Sequence, residues 1–159
     1  MHLSEIGILI KDRREELGLS QLRLAAFCNI PPEELRELEF GETNDIGFYR
    51  LQSILKMIGL AFDEPNLAAR RCKKGLWMAA QTSSISYRNT LAATDLQRFL
   101  ISGEVHADHQ ANIIHFLEEA PIELIVMAVE EASKTRSQTW EKLEHYAKKN
   151  GISRHGCWE

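Results

Sequence analysis

Three groups of side chains in this 159-residue sequence have the types and spacing that chemistry needs. The first is a run of cations, Arg70, Arg71, Lys73 and Lys74, followed by Arg88, with no acid between residues 65 and 90. Cations at this density suit phosphate, so the run reads either as an arm for a nucleic-acid backbone or minor groove, or as a solvated linker. The second group is His106, His109 and His115, close to Glu104 and Asp108. Imidazole with carboxylate suits zinc, but six residues separate His115 from His109, about 240° round a helix, so the three histidines diverge. They read as exposed polar residues near a helix start, and no metal is expected. The third group is Glu118-Glu119 and Glu130-Glu131, whose members are adjacent in sequence and point apart on a helix. No nucleophile elbow, Ser/His/Asp order, phosphate-binding loop or dinucleotide fingerprint occurs. The expectation is a protein that is not an enzyme, with no catalytic residue and no cofactor.

The bulk composition agrees with a folded, non-membrane chain. Hydrophobic residues make up 44% and charged residues 26%, enough for a real core. The length allows one domain or two small ones of about 60–80 residues each. The apolar run Ile6–Ile10 is cut short by Lys11-Asp12-Arg13-Arg14, and Met1-His2-Leu3-Ser4-Glu5 lacks the basic start of a signal peptide. A cytoplasmic location is expected. Cys28, Cys72 and Cys157 are far apart, odd in number and without a CxxC pair, so they read as reduced thiols. A net charge of −4 excludes a protein that grips phosphate by bulk charge. The charge is unevenly placed: residues 1–62 carry 7 basic and 10 acidic residues, residues 91–159 carry 7 and 11, and the cationic segment joins them.

These side chains must be positioned by helices, since nothing in the pattern reads as strand. In the first 62 residues Ile6, Leu9, Ile10 and Leu17 recur near helical spacing, and Gly18 ends that helix. Ser20 is an N-cap for a second helix whose buried side is Leu22, Leu24, Ala25, Ala26 and Phe27. Asn29 suits a left-handed turn, and Pro31-Pro32 opens a third helix with Leu35 and Leu38 inward and Gly41 as its stop. Leu51, Ile54, Leu55 and Ile58 make a fourth, ended at Gly59. Residues 65–90 read as a basic linker or partly helical arm, with Trp77 and Met78 apolar enough to dock. Beyond it, Leu91 to Ile101, Ile113 to Leu117, Leu124 to Val129 and Trp140 to Ala147 supply core positions for a small four-helix module. The expectation is an all-α chain with domains 1–64 and 91–159 around a 65–90 linker.

The first 62 residues carry a recognisable constellation. Arg14, then Gly18-Leu19-Ser20-Gln21, then the pair Ala25-Ala26, then Leu38-Glu39-Phe40-Gly41 resembles the Cro/lambda-repressor (Xre) family of helix-turn-helix transcription regulators. The resemblance implies a lambda-repressor-like DNA-binding domain over 1–64 and says nothing of residues 91–159. It implies an ion pair of Arg14 with Glu39 tying the first helix to the end of the third. It places Gln21 and Arg23 at the start of the second helix, Gln21 bracing the DNA backbone and the recognition helix. Pro32, Glu33, Arg36 and Glu37 become the groove-facing positions, and Asn44 and Arg50 the phosphate contacts.

The reading face departs from ordinary groove chemistry. From Pro31 to Glu39 four glutamates accompany one arginine, in the element that should approach phosphate. A glutamate accepts from cytosine N4 and Arg36 suits guanine, yet each unpaired carboxylate near phosphate is repelled. Glu33 and Glu34 also favour the helix's own N-terminal dipole. Two functional readings stand. One is a dimeric repressor of its own operon that binds a double-stranded DNA operator. By analogy of architecture it is an antitoxin whose acidic C-terminal helices, with Trp140, Tyr146 and Trp158, cover a toxin. The other is a protein-interaction module whose helix-turn-helix does not read DNA.

Overall fold

The computed structural model describes residues 2–43, 45–60, 74–85, 87, 89–154 and 157–158, and among them every regular element is helical. The chain divides into two units, Met1–Arg70 and Arg71–Glu159.

In the first unit the helices are α1 (Leu3–Glu16), α2 (Gln21–Cys28), α3 (Pro32–Phe40) and α4 (Phe48–Ile58). Local chemistry sets their ends. The backbone N–H of His2 donates to the Glu5 carboxylate at 2.8 Å, and the Ser20 hydroxyl accepts from the N–H of Arg23 at 3.1 Å. Asn29 leaves α2 at φ 53°, and Gly41 leaves α3 at φ 68°, the left-handed values those residue types tolerate. Ile10, Leu17, Leu24, Leu35, Leu38, Ile54 and Ile58 form the core, each essentially inaccessible. Burying a side chain of this size contributes about 1.5–3 kcal/mol, which is what holds helices too short to persist alone. Gly7 brings α1 onto the end of α3: a Cβ there would lie 1.9 Å from the Leu38 carbonyl oxygen.

Two positions expected inside this unit lie outside. Leu9 is 44% and Leu22 is 69% exposed. The inward direction of α1 is set by Gly7, Ile10, Arg14 and Leu17 at intervals of three and four, and Leu9 falls beside that stripe. On α2 the buried set is Leu24, Ala25, Phe27 and Cys28, which turns Leu22 to solvent.

The second unit contains α5 (Gly75–Ser84), α6 (Ala93–Ser102), a 3₁₀ turn (Ala107–His109), α7 (Gln110–Glu119), α8 (Ile122–Ala132) and α9 (Arg136–Lys149). Here the expected linker needs correction, because α5 is a core helix packed on α6, α7 and α8. Leu76, Ala79, Ala80 and Ser83 are its buried residues, whereas Trp77 and Met78 stay 54% and 41% exposed. Among the described residues the expected four-helix module has five α-helices. Gly75 lets α5 start against α8, where a Cβ would meet the Met127 backbone at 3.0 Å. The free first N–H groups of α5 find a side-chain acceptor, the Leu76 N–H donating to the Glu131 carboxylate at 2.9 Å.

Trp140, Trp158, Phe99 and Phe116 fill the centre, and Ile101, expected inside, is 48% exposed. Asn112, 1% exposed, donates through Nδ2 to the carbonyls of Ser83 and Asn89, both at 3.1 Å. Arg154 donates to the Leu117 and Ala120 carbonyls at the end of α7.

Candidate nucleic-acid interface

The geometry of the expected reading face begins with a buried ion pair. Arg14 Nε and Nη2 donate to Glu39 Oε1 and Oε2 at 2.7 and 2.8 Å, a bidentate arrangement between side chains 9% and 0% exposed. Arg14 Nη1 donates to the Leu19 carbonyl at 2.8 Å, and Gln21 Nε2 donates to Glu39 Oε2 at 2.7 Å. One carboxylate therefore fastens α1, the turn after it and the start of α2 to the end of α3. Glu39 also raises the Arg14 guanidinium above its ordinary value, through the hydrogen bond that outweighs burial. Arg13, which the sequence did not mark, is also buried, and its Nε donates to the Ile58 carbonyl at 3.0 Å, tying α1 to the end of α4.

With α3 held this way, Pro32, Glu33, Arg36 and Phe40 lie on its exposed side and Glu37 is half-buried. Arg36 pairs with Glu42 at 3.3 Å across the Gly41 turn. Arg50 pairs with Glu34, its Nη1 reaching both carboxylate oxygens at 2.9 and 2.7 Å. Both arginines remain about half exposed, 47% and 58% by side chain. A pair at that exposure is worth about 0–1 kcal/mol, so a phosphate or a guanine edge can compete for either guanidinium. Arg23 is half-buried on α2.

The structure brings Gln21 to Glu39 and places Arg50 at the start of α4, beside α3. Asn44, Arg70, Arg71 and Lys73 lie outside the described residues; Lys74 is exposed just before α5.

Sequence reasoning passed over the aromatic residues at this surface. Tyr49 is 84% and Phe48 60% exposed at the first turn of α4, with ring centroids 5.8 Å apart. The N-cap of α4 is Gly47, which has no side chain to satisfy the helix's first N–H groups. A helix start left in this state, next to a phenol and Arg50, suits a phosphate oxygen. The signal was available in the string Gly47-Phe48-Tyr49-Arg50, an uncapped start followed by a phenol and a cation. At the other end of α3, Phe40 is 60% exposed with Lys11 Nζ 5.5 Å above its ring.

His106, His109 and His115 do not converge, although the His106 and His109 rings lie 6.3 Å apart. His106 Nδ1 lies 3.3 Å from Asp108, His109 Nε2 lies 3.8 Å from Asp95, and His115 sits edge-on to Tyr87. Among the described residues no three His, Cys, Asp or Glu side chains are grouped as a metal would need, and no helix is long and apolar enough to cross a membrane.

Comparison with known proteins agrees with the N-terminal geometry. Residues 10–64 match the family model described as Helix-turn-helix, which spans α2 to α4 and the second half of α1. No curated protein and no solved structure matches the chain. An ion pair fastening α1 to α3, the tight turn at Asn29 between α2 and α3, and the family match agree: residues 10–64 are similar to helix-turn-helix domains.

Proposed function

We propose that this chain is a sequence-specific DNA-binding transcription regulator acting as a homodimer. In this reading α3 of each subunit enters successive major grooves of a pseudo-palindromic operator. The observation that carries it is the Arg14–Glu39–Gln21 cluster, which holds α3 so that Pro32, Glu33 and Arg36 face outward together. Arg36 and Glu33 would read base edges, while Arg50, Asn44 and the start of α4 would hold phosphates. Arg70, Arg71, Lys73 and Lys74 would add phosphate contacts as an arm. In its fuller form the protein works in the cytoplasm, represses its own operon and uses its helical second unit to bind a protein such as a toxin. The support for that part is architectural, a helical unit that follows a helix-turn-helix domain in sequence and is net acidic over residues 91–159.

A second reading, a protein-binding module that does not read DNA, is favoured by one observation. Arg36 and Arg50 of the expected interface are paired within the domain, and Leu22, Phe40 and Tyr49 are exposed. Fluorescence titration of the full chain against its gene's own upstream DNA, at two salt concentrations, separates the two. DNA binding predicts a sequence-specific complex at low salt that weakens as salt rises. The absence of any specific complex at low salt favours the protein-binding module.

A further inference from the structure

The second unit holds a cavity that neither the helix-turn-helix nor its DNA reading uses. It is an open groove of about 600 Å³, within the range of small-molecule sites, running along α9 beside the turn that ends α6. Glu141, Lys142, His145, Tyr146 and Lys149 line it from α9, at the three- and four-residue intervals that put them on one face. Gly103, at φ 80°, forms its other side.

We propose that this groove binds a small organic anion carrying a carboxylate or phosphate group. The wall carries two ammonium groups and an imidazole against a single acid, Glu141. Lys142 donates to the Ile101 carbonyl at the end of α6. That contact offsets the negative end of α6 and fixes the ammonium at the groove's edge, with N–H groups to spare. Lys149 and His145 stand exposed, and Lys149 is two helical turns, roughly 10 Å, from Lys142. An anion of metabolite size spans that separation.

Tyr146 supplies a second, independent observation. Its ring packs edge-on to Phe99, with centroids 5.0 Å apart. Its buried hydroxyl has no hydrogen-bond partner among the described residues. Burial also pushes the phenol's pKa up, so it stays a neutral donor. A buried hydroxyl without a partner is unfavourable, and an anion that displaces the side chains covering it would supply the acceptor it lacks.

The test is titration of the ¹⁵N-labelled full chain with inorganic phosphate and, separately, with succinate, using chloride at matched ionic strength as control. The proposal predicts saturable shifts confined to α9 and the turn at Gly103. Whichever titrant saturates at the lower concentration identifies the source. Lys149→Gln should weaken that binding about tenfold. Tyr146→Phe should weaken it too while leaving the free protein's melting temperature unchanged or higher, because an unsatisfied hydroxyl has been removed. Shifts that chloride reproduces overturn the proposal, as do shifts spread over the whole surface or unchanged affinity in Lys149→Gln. A Tyr146→Phe variant that melts lower when free, with binding intact, also overturns it, since a structural partner then already satisfies the hydroxyl.

Discussion

The two units bury different kinds of polar group. The first unit buries three charged side chains, Arg13, Arg14 and Glu39, whereas the buried polar residues described in the second are neutral: Ser83, Asn112, Ser133 and Thr139. The second unit buries two tryptophans, and the first contains none. Burying an ion pair is expensive in desolvation, and a hydrophobic replacement of similar volume is often as stable. The pair in the first unit is better understood through what it positions. Glu39 accepts from two helices at once and so fixes the angle at which α3 is shown to its surroundings. The second unit needs no such alignment, and its neutral amide and hydroxyl groups close gaps in backbone hydrogen bonding under an aromatic core.

That contrast can be broken one unit at a time, because Trp77, Trp140 and Trp158 all lie in the second unit. Tryptophan fluorescence therefore follows the second unit alone, while far-UV circular dichroism follows both. The largest effect is expected for Glu39→Ala, which strands a buried guanidinium and should cost the first unit about 3–5 kcal/mol. In urea the dichroism transition should split, with an early phase that fluorescence does not see. A fluorescence midpoint that falls in step would show that the units do not unfold separately.

A smaller effect is expected from Asn112→Ala. It leaves the Ser83 and Asn89 carbonyls without their donor and should cost the second unit about 1–3 kcal/mol. Here the fluorescence midpoint moves and the first unit's phase stays. An unmoved midpoint would mean that water replaces the amide.

The smallest effect concerns alkali. Burial raises the Cys157 thiol above its ordinary 9.0, with Arg154 opposing, and raises Tyr146 above its ordinary 10.0. Both groups lose their protons more readily in the unfolded chain. The stability that depends on them is thus fully present below their ordinary values and is lost as pH rises through the folded ones. The fluorescence transition should begin to weaken above about pH 9. The Cys157→Ala and Tyr146→Phe substitutions should each flatten that decline. A decline that persists unchanged in both variants would assign it to other groups.

Much of the first unit was legible because its signals are local. Ser20, Asn29, Pro32, Gly41 and Gly59 mark helix ends by their own backbone and side-chain preferences, whatever surrounds them. Arg14 and Glu39 were legible through the family pattern rather than through physics, since nothing local says that residues 25 apart will meet. Tertiary choices were hidden. Arg13 looks like any surface cation until the Ile58 carbonyl is placed beside it. Leu9 and Leu22 satisfy helical spacing but lie off the stripe the neighbouring helices select. Helix α5 was the largest omission: a cationic run precedes it and a polar stretch ends it, while small Ala79, Ala80 and Ser83 do the packing. Ser83 and Asn112 carry no local sign of their burial, because their partners are backbone groups of distant residues or of their own helix.

The central claim is that the exposed side of α3 reads base edges. The direct measurement is the affinity of Arg36→Ala and of Arg50→Ala for the operator and for scrambled DNA, each at two salt concentrations. The account predicts that Arg36→Ala loses roughly 1–3 kcal/mol on the operator and little on scrambled DNA. Arg50→Ala should weaken both alike and lower the salt slope by about one. Equal losses on both DNAs for Arg36→Ala would contradict it.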